Sequence, residues 1–464
     1  MDYDVLILGG GIIGCAAAYE LSKYSLNIAL IEKDYDIADD VALINSAIVY
    51  DGIESRDTLV AKLESMGNEM FDDLSNKFNV PFKRTGGLII AGNENEEKAL
   101  IEMYERALKR GVLDISLIDS KEIYEMEPNF NGKAVKAIHS KNLGVLCPYD
   151  LAIAYAEIAF DNGVNFKLNE EVIDIVKISR GFRVETNKNK FTCKMVINTT
   201  PGKSYSIDSS DKVIESNVFY QKYFMLDSTF KEIYSNILFT INEQGERVYT
   251  VPSVQGNTIA ALNTKDNLKY NEAVNKVSNL VNGIVDDSIT NYYQALSYKN
   301  DVLIDDSSVD KGYIKISAKH YGEVTMTPAI AKIVCETIVS NIKCTLKKDF
   351  NDKRREFYRF RDLSNEERNQ LIQLDKRYGR VVCLCQLITE GEIIEAIRRP
   401  LGARTVEGIK RRTGATVGSC QGSYCLNKIV SILARETNKK ITDIVKDSKN
   451  SRIILNRIKE FDGV

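Results

Sequence analysis

A glycine-rich turn between two short apolar runs is the feature that most constrains how this chain folds. Residues 3–8 are largely apolar and end at the motif GGGIIG of residues 9–14, after which an alanine-rich segment has helical character. A second β-rich run covers residues 27–32 and ends in Glu32. This order and length predict a strand, a tight turn, a helix and a second strand.

Three positions of the turn each need a glycine, for different physical reasons. Gly9 allows the tight turn, Gly11 lets the backbone approach a pyrophosphate, and Gly14 permits close packing of the helix on the strand. The pyrophosphate would lie at the helix N-terminus, where unpaired amides and the helix dipole favour negative charge. A GxGxxG motif also occurs in ordinary turns, but the complete context favours a bound dinucleotide. The residues predicted to contact it are Gly9, Gly11, Ile12, Ile13, Gly14, Glu32, which would bind the ribose, and Lys33.

Four of the nine cysteines form a second pattern near the C-terminus. Cys383 and Cys385 make a CxC pair, and Cys420 and Cys425 make a CxxxxC pair after a long helical interval. Thiolates are soft ligands, so four of them suit an iron–sulfur cluster or zinc. Zinc sites more often use CxxC pairs, which favours [2Fe-2S] and leaves zinc, or four unrelated core cysteines, as alternatives. The other five cysteines are predicted to be packing residues.

Composition mainly excludes functions. The formal net charge of -3 gives no electrostatic reason for a nucleic-acid partner. No apolar run approaches the roughly 20 residues that cross a bilayer, and the chain enters a strand without a basic leader, so a cytoplasmic location is expected. Only His139 and His320 occur, which excludes a histidine-rich metal centre. A length of 464 residues predicts two or three folded units.

Periodicity predicts further elements along the chain. Residues 57–79 and 94–110 have helical spacing, and residues 213–300 are mostly alternating strand. A helix is predicted from residue 328 to residue 342. Residues 345–380 are charged and lack a strong apolar stripe, which indicates a linker or a covering helix.

The interval between the cysteine pairs is helical and basic. Residues 389–397 and 405–413 each have the pattern of a capped amphipathic helix. A solvated helix face is the simplest interpretation of the basic residues, and the alternative is that they offset an anionic cluster or dock a partner. They are Arg398, Arg399, Arg404, Lys410, Arg411 and Arg412.

Taken together, these residues resemble a known combination of domains. An FAD-dependent oxidoreductase of the D-amino-acid-oxidase and glycerol-3-phosphate-dehydrogenase superfamily is fused there to a bacterioferritin-associated-ferredoxin-like [2Fe-2S] domain. Residues 398–405 and 420–422 are most similar to the anaerobic glycerol-3-phosphate dehydrogenase group. Besides the glycine turn and the cysteines, the resemblance rests on residues 45–49 with Gly52, 144–150 and 327–331.

The resemblance implies the fold class. We expect an α/β Rossmann-like FAD-binding domain interleaved with an α+β substrate domain, plus a small helical C-terminal [2Fe-2S] domain. The implied limits are 1–80, 141–205 and 301–345 for the FAD-binding domain, 81–140 and 206–300 for the substrate domain, 346–375 for the linker or covering helix, and 376–464 for the [2Fe-2S] domain.

The resemblance also implies the chemistry. A substrate C–H next to oxygen or nitrogen would give a hydride to flavin N5, and electrons would leave singly through the cluster. The implied cofactors are FAD and a [2Fe-2S] cluster, and the implied substrate is a small hydroxy acid, glycerol 3-phosphate or a related amine. The acceptor would be an electron-transfer protein or a second oxidoreductase subunit. An oligomer is expected, and peripheral association with a membrane is left open.

Site residues follow from the same resemblance. The implied additional cofactor contacts are Asn45, Ser46, Val172, Gly202 and Thr325. The candidate catalytic residues are polar groups in regions that should border the flavin, namely Tyr50, Arg56, Tyr220, Lys222 and His320, with Arg84, Tyr249 and Tyr321 as further candidates.

Several segments depart from the family pattern. The loop at residues 40–45 is shortened, Tyr50 replaces a frequent histidine, and residues 199–202, 220–223 and 322–325 differ from the usual motifs. These departures support a second hypothesis, in which the chain is a catalytically degenerate iron–sulfur electron-transfer or scaffold subunit that retains the family fold.

Overall fold

The computed structural model describes residues 1–38, 46–200, 203–208, 218–241, 246–298, 302–305, 312–318 and 320–456. The elements of the first half are β1 (Tyr3–Leu8), α1 (Ile12–Ser22), β2 (Ile28–Ile31), β3 (Ile48–Val49), α2 (Thr58–Phe78), β4 (Phe82–Arg84), β5 (Gly87–Ala91), α3 (Glu94–Lys109), β6 (Ile115–Asp119), α4 (Ser120–Met126), β7 (Lys136–Ser140), β8 (Gly144–Leu146), α5 (Pro148–Asp161), β9 (Asn165–Lys167), β10 (Val172–Ile178), β11 (Gly181–Thr186) and β12 (Lys190–Asn198). Those of the second half are β13 (Val218–Leu226), β14 (Ile237–Thr240), β15 (Arg247–Pro252), β16 (Thr258–Thr264), α6 (Tyr270–Ser278), β17 (Ile289–Tyr298), β18 (Val302–Asp305), β19 (Tyr313–Ala318), α7 (Glu323–Asn341), α8 (Asn365–Leu374), β20 (Val381–Cys383), β21 (Ile388–Thr389), α9 (Glu390–Arg398), α10 (Val406–Thr413) and α11 (Leu426–Thr437).

The predicted strand–turn–helix–strand unit is confirmed and forms the centre of the first sheet. The strand order is β10-β11-β12-β1-β2-β9, with β19 beside the end of β12 and β18 beside β19. β1 pairs in parallel with β2 on one side and with β12 on the other. Val5, Leu6, Ile7 and Leu8 are fully buried, because a central parallel strand is covered on both faces.

A layer of helices covers one face of this sheet. α1 packs against α5 and α7, and the small residues in its middle allow the close approach. Tyr19 of α1 makes ring contacts with Phe78 and Tyr155 at centroid distances of 5.1 and 5.4 Å. These aromatic contacts join α1, α2 and α5 in one core.

The second sheet has the order β17-β13-β16-β15-β14-β5-β7-β6. Its strands come from two stretches of the chain, because β14 and β5 pair in parallel and join the later strands to the earlier ones. One face carries Tyr223, Phe239 and Tyr249 and packs toward Tyr50, and the other face is covered by α6. The residue limits given above for the separate units stay a prediction.

A small antiparallel sheet connects the two large ones. β8 pairs with β3 on one side and β4 on the other. Since β3 ends at Val49, this pairing fixes where Tyr50 and Asp51 enter the space between the large sheets. The backbone amide of Tyr50 donates to Thr325 Oγ1 at 3.0 Å, which ties the same segment to α7.

Two elements differ from the periodicity predictions. α7 begins at Glu323, not at residue 328, and Pro328 lies inside it. Pro328 is the sixth residue of this helix, and Thr327 Oγ1 before it donates to the carbonyl of Glu323 at 2.8 Å. Within the stretch expected to be mostly strand, Tyr270–Ser278 forms a helix. No helix in the described residues combines the length and apolarity that crossing a bilayer requires.

The C-terminal module has its own core. The two predicted capped helices are confirmed: Thr389 begins α9 with a reciprocal capping box to Glu392, and the Thr405 side chain accepts from the amide of Gly408 at the start of α10. Apolar residues of α9, α10 and α11 bury one another and enclose Cys383 and Cys425.

Ion pairs attach the linker and the module to α5. Arg354, in the segment before α8, lies 2.6 Å from Glu157 and 2.9 Å from Asp150. Arg399 of the module donates to both carboxylate oxygens of Glu157 at 3.1 Å. The Arg399 side chain is only 10% exposed in this contact, so it is not a solvated residue, and its role as a counter-charge to the cluster stays a prediction.

Candidate functional site

Gly9 and Gly14 bring the first strand and the first helix into close contact. Gly9 has a φ of +103°, which favours glycine, and its amide donates to the carbonyl of Ile31 at 2.9 Å. A Cβ at Gly14 would lie 2.1 Å from the Gly9 carbonyl oxygen. A side chain at position 14 would therefore push the helix away from the strand.

Gly11 leaves space open at the start of α1. It occupies the N-cap position with no side-chain cap, and a Cβ built there would have no neighbour within 4 Å. The first amides of a helix have no acceptor within the helix, and together with the dipole they favour an anion. Ile12 and Ile13 are buried, and their side chains belong to the core around α1.

Glu32 is held at the end of β2. Its two carboxylate oxygens accept from the amides of Gly10 at 2.6 Å and Asp34 at 2.9 Å. This geometry fits a carboxylate positioned for ribose hydroxyls beside the turn. Lys33 is half exposed, and its Nζ lies 3.6 Å from Asp34.

Three other predicted cofactor contacts can be placed. Ser46 is buried, with its Oγ 3.3 Å from the Tyr50 hydroxyl. Thr325 is fully buried in the first turn of α7, where it binds the Tyr50 amide, and Val172 is buried at the start of β10. Two predicted contacts lie outside the described residues, Asn45 and Gly202, as does the whole of the shortened loop at residues 40–45.

Five tyrosines form a buried group between the large sheets, which we call the aromatic cluster: Tyr50, Tyr223, Tyr249, Tyr293 and Tyr321. The rings of Tyr223 and Tyr293 stack at a centroid distance of 4.7 Å, and those of Tyr50 and Tyr321 meet edge-on at 4.8 Å. The Tyr223 hydroxyl donates to Gln221. The cluster combines aromatic surface with several hydroxyl groups.

Charged side chains lie at the edge of the aromatic cluster. Arg247 Nη1 is 2.6 Å from Glu54 Oε2, whereas Glu54 Oε1 has no hydrogen-bond partner among the described residues. Glu64 is 1% exposed and neither of its oxygens has a hydrogen-bond partner there. Burial, followed by the nearby Glu54 and Asp51 carboxyls, raises the pKa of Glu64 well above its usual range. Glu64 therefore keeps its proton to a higher pH than an exposed glutamate does.

The four predicted ligand cysteines come together. The Cys385 sulfur lies 3.7 Å from that of Cys383 and 3.7 Å from that of Cys420, and Cys425 is next to Cys383. Two thiolates at about 2.3 Å from one tetrahedral metal lie about 3.8 Å apart, so these separations fit a shared metal. The sulfurs form a chain of neighbours, and within the described residues no three potential ligands surround a single ion position.

Backbone groups favour the thiolate at one of these ligands. The amide of Gly422, together with those of Tyr424 and Ser423, lowers the pKa of Cys420. Gln421 Nε2 donates to the carbonyl of Thr290 at 3.2 Å, so the loop that carries Cys420 rests on strand β17. Three residues further along β17 is Tyr293 of the aromatic cluster.

Family comparison decides what these two sites belong to. The profile described as FAD dependent oxidoreductase matches residues 4–337, which is most of the chain. The chain belongs to the FAD dependent oxidoreductase family. The profile described as BFD-like [2Fe-2S] binding domain matches residues 381–435 of the same oxidoreductase. FAD is therefore the cofactor of the large unit, and a [2Fe-2S] cluster is that of the C-terminal module.

Individual relatives agree with this assignment. The glycerol 3-phosphate dehydrogenase of Caloramator mitchellensis is 37% identical to the oxidoreductase over 97% of this chain and 98% of its own. The mitochondrial L-2-hydroxyglutarate dehydrogenase of Caenorhabditis briggsae is 38% identical over 31% of this chain and 33% of its own. Among solved structures, dithionite-reduced L-alpha-glycerophosphate oxidase from Mycoplasma pneumoniae with FAD bound has a TM-score of 0.66 and 22% identity, covering 77% of this chain and 99% of that chain. This last similarity shows a shared fold.

Two residues predicted to be catalytic lie on the face of β13 that is opposite to the aromatic cluster. Successive residues of β13 point to opposite faces of the sheet, and Tyr223 belongs to the aromatic cluster. Lys222 is buried on the opposite face, with its Nζ 2.7 Å from Gln294 Oε1. Tyr220 shares the face of Lys222. The structure therefore separates Tyr220 and Lys222 from the aromatic cluster, and their assignment to catalysis stays a prediction.

The other catalytic candidates have different positions. Arg56 is exposed, and its carbonyl accepts from Arg110. His320 lies against Tyr321, at 4.0 Å between ring centroids, and its Nδ1 accepts from the amide of Gly322. Burial lowers the pKa of His320 to about 4, so the ring is neutral and carries its proton on Nε2. In this tautomer His320 Nδ1 is the acceptor for the Gly322 amide and holds the turn before α7.

Sequence patterns missed several residues of the site. Arg247 stands two residues before Tyr249 on β15, so strand alternation would have placed it beside that candidate tyrosine. Tyr293 points to the same face of the sheet as Ala295 and Tyr223, which the alternation of side chains along the strands would also have predicted. Glu64 belongs to an amphipathic helix, where a glutamate predicts a solvent-exposed position and gives no signal of burial.

The buried carboxyl of Asp51 should make the free energy of unfolding depend on pH. It is 4% exposed, and burial raises its pKa to about 6 although Ser140 donates to it. In the unfolded chain the pKa of an aspartate is about 4. The stabilising contribution of the protonated Asp51 carboxyl to the free energy of unfolding is therefore complete below pH ~4 and is lost as pH rises through ~6. Asp51→Asn should therefore stabilise the oxidoreductase at pH 7 by on the order of 3 kcal/mol and change little at pH 4.

Urea unfolding of both proteins between pH 4 and 7 measures this difference. The exposed Asp287→Asn is the matched control and should show the same stability change at every pH. A stability difference for Asp51→Asn that does not grow with pH would contradict the assignment.

Proposed function

We propose that this oxidoreductase is a dehydrogenase that oxidises the secondary hydroxyl of glycerol 3-phosphate and passes the electrons through its [2Fe-2S] cluster to an acceptor protein. The observation that carries the proposal is the 37% identity to a glycerol 3-phosphate dehydrogenase over 97% of the chain. That coverage extends into the cysteine module, so the similarity is not confined to the FAD domain. The L-2-hydroxyglutarate dehydrogenase relative covers only 31% of the chain and supports a hydroxy-acid substrate less strongly.

The aromatic cluster supplies groups suited to such a substrate. A phosphate needs a cationic partner, and Arg247 presents a planar guanidinium that is held on one side by Glu54. Glu54 Oε1, without a partner among the described residues, is our candidate to accept the hydroxyl proton. The tyrosine hydroxyls orient the substrate. FAD supplies the two-electron acceptor for the substrate hydride when it is bound.

The acceptor is proposed to be a one-electron carrier or a second oxidoreductase subunit. All nine cysteines are free, which suits a reducing compartment, and the cytoplasm stays our expectation. An oligomer also stays an expectation.

Glycerol 3-phosphate added in the absence of oxygen should bleach the visible flavin absorption of the holoenzyme. L-2-hydroxyglutarate and glycine at the same concentration should leave it unchanged. The spectrum is recorded during anaerobic titration with each compound. Bleaching by L-2-hydroxyglutarate and not by glycerol 3-phosphate would contradict the proposed substrate and indicate a hydroxy acid. Cluster bands without flavin bands would support the degenerate scaffold hypothesis.

Two variants test the placement of the substrate. Arg247→Lys keeps the charge but loses the forked donor, so KM for glycerol 3-phosphate should rise at least about tenfold. Tyr220→Phe, on the opposite face of the second sheet, is the control and should keep the KM of the parent. Equal KM values for all three proteins would remove Arg247 from the substrate site.

A further inference from the structure

A buried ion pair joins the [2Fe-2S] module to the segment that follows β2. Arg412 of α10 binds Asp36 through two hydrogen bonds of 2.7 Å, and the side chains are 4% and 3% exposed. The guanidinium also donates to the carbonyls of Gly408 and Leu401. A Cβ at Gly408 would lie 2.5 Å from Asp36 Oδ2, so the helix surface is shaped to receive this carboxylate.

The Asp36 segment is in turn bound to the dinucleotide turn. The Ala38 amide donates to the carbonyl of Gly10 at 2.8 Å, and the Gly10 amide donates to Glu32 at 2.6 Å. Ala38 has a φ of +61°, a left-handed conformation that is unfavourable for alanine and persists where its surroundings impose it. Contacts thus run from Arg412 through residues 36–38 to the turn and to the predicted ribose ligand.

The module holds this segment from a second side and is itself anchored elsewhere. Lys439 Nζ lies 5.5 Å from the centre of the Tyr35 ring. Arg399 attaches the module to Glu157 of α5, a helix that packs on α1. Because the module contacts the FAD domain at separate places, the position of Arg412 relative to the FAD domain is fixed.

We infer that Arg412 is a positioning residue of the FAD site, supplied by the [2Fe-2S] module through Asp36. The module therefore completes the cofactor site of the large unit in addition to holding its own cluster. This role concerns FAD affinity and does not depend on the identity of the substrate.

FAD binding by the full-length chain tests this role. FAD is removed from the purified protein and returned while flavin fluorescence is followed, and iron is measured in the same samples. Arg412→Gln and Asp36→Asn should each raise the FAD dissociation constant at least tenfold with iron content unchanged. The double variant with both substitutions should recover part of the FAD affinity. Each single variant leaves one buried charge without its partner, and the double variant leaves none.

Arg411→Gln is the matched control. Arg411 is the preceding residue of α10 and pairs with Asp447 inside the module, at 2.8 Å. Its loss should change the FAD dissociation constant less than twofold. An equal loss of FAD affinity in Arg411→Gln and Arg412→Gln would overturn the proposal, since it would indicate general damage to the module.

A conservative variant covers the case in which Arg412→Gln does not fold. Arg412→Lys retains the charge but not the fork and should weaken FAD binding several-fold in a folded, iron-replete protein. FAD affinity equal to that of the parent in this variant, or in a folded Arg412→Gln, would show that the pair serves only adhesion between the units.

Discussion

A valine at position 11 is expected to give a folded protein that keeps its [2Fe-2S] cluster and retains less than about a tenth of the parent's FAD. Gly11 has extended backbone angles that valine adopts, and no atom lies within 4 Å of its Cβ position. The fold therefore accepts the side chain. The same space is where a pyrophosphate approaches the helix N-terminus, so the ligand is excluded. FAD and iron contents of the purified variant measure the result.

Gly14→Ala distinguishes loss of the ligand from loss of the fold. Its added methyl group would lie 2.1 Å from the Gly9 carbonyl oxygen, so this variant should unfold at a lower temperature than Gly11→Val. FAD content in Gly11→Val equal to that of the parent would contradict the assignment of the turn.

Serine at any one of Cys383, Cys385, Cys420 or Cys425 should remove nearly all iron from the protein. A [2Fe-2S] cluster held by four thiolates loses a ligand when any one of them is replaced, and these four sulfurs lie close enough to share one cluster. The parent should contain about two iron atoms and two acid-labile sulfides per chain. In Cys420→Ser, substrate should still reduce the flavin, whereas delivery of electrons to an external acceptor should slow.

Cys344→Ser is the control for these substitutions. Cys344 is partly buried and lies outside the module, so its iron content should equal that of the parent. About one zinc per chain and no iron after anaerobic preparation would make the module structural and remove the proposed electron exit.

Local patterns were sufficient where a residue's role depends on its immediate neighbours. The glycine turn, the capping residues Thr389 and Thr405 and the cysteine pairs each carry their geometry in a few consecutive residues. The fold class followed from the resemblance and is confirmed by the family and by the shared fold. The glycine turn, the two helix caps and the cysteine pairs could therefore be predicted without knowledge of distant contacts.

Side-chain direction could not be predicted in the same way. Tyr220 and Tyr223 are both aromatic residues of β13, and only the packing of the sheet against Tyr50 decides which face borders the site. The basic residues of α10 raised the same difficulty. Nothing in the local sequence distinguishes Arg412, whose partner is 376 positions away, from a solvated arginine.

Strand β17 connects the loop that carries Cys420 to the aromatic cluster. Thr290 contacts the cysteine loop and Tyr293 belongs to the aromatic cluster, and three residues of extended strand span about 10 Å. This strand keeps the loop of Cys420 at one distance from the aromatic cluster. The proposed electron exit would therefore need no swinging domain, and we expect its rate not to depend on solvent viscosity.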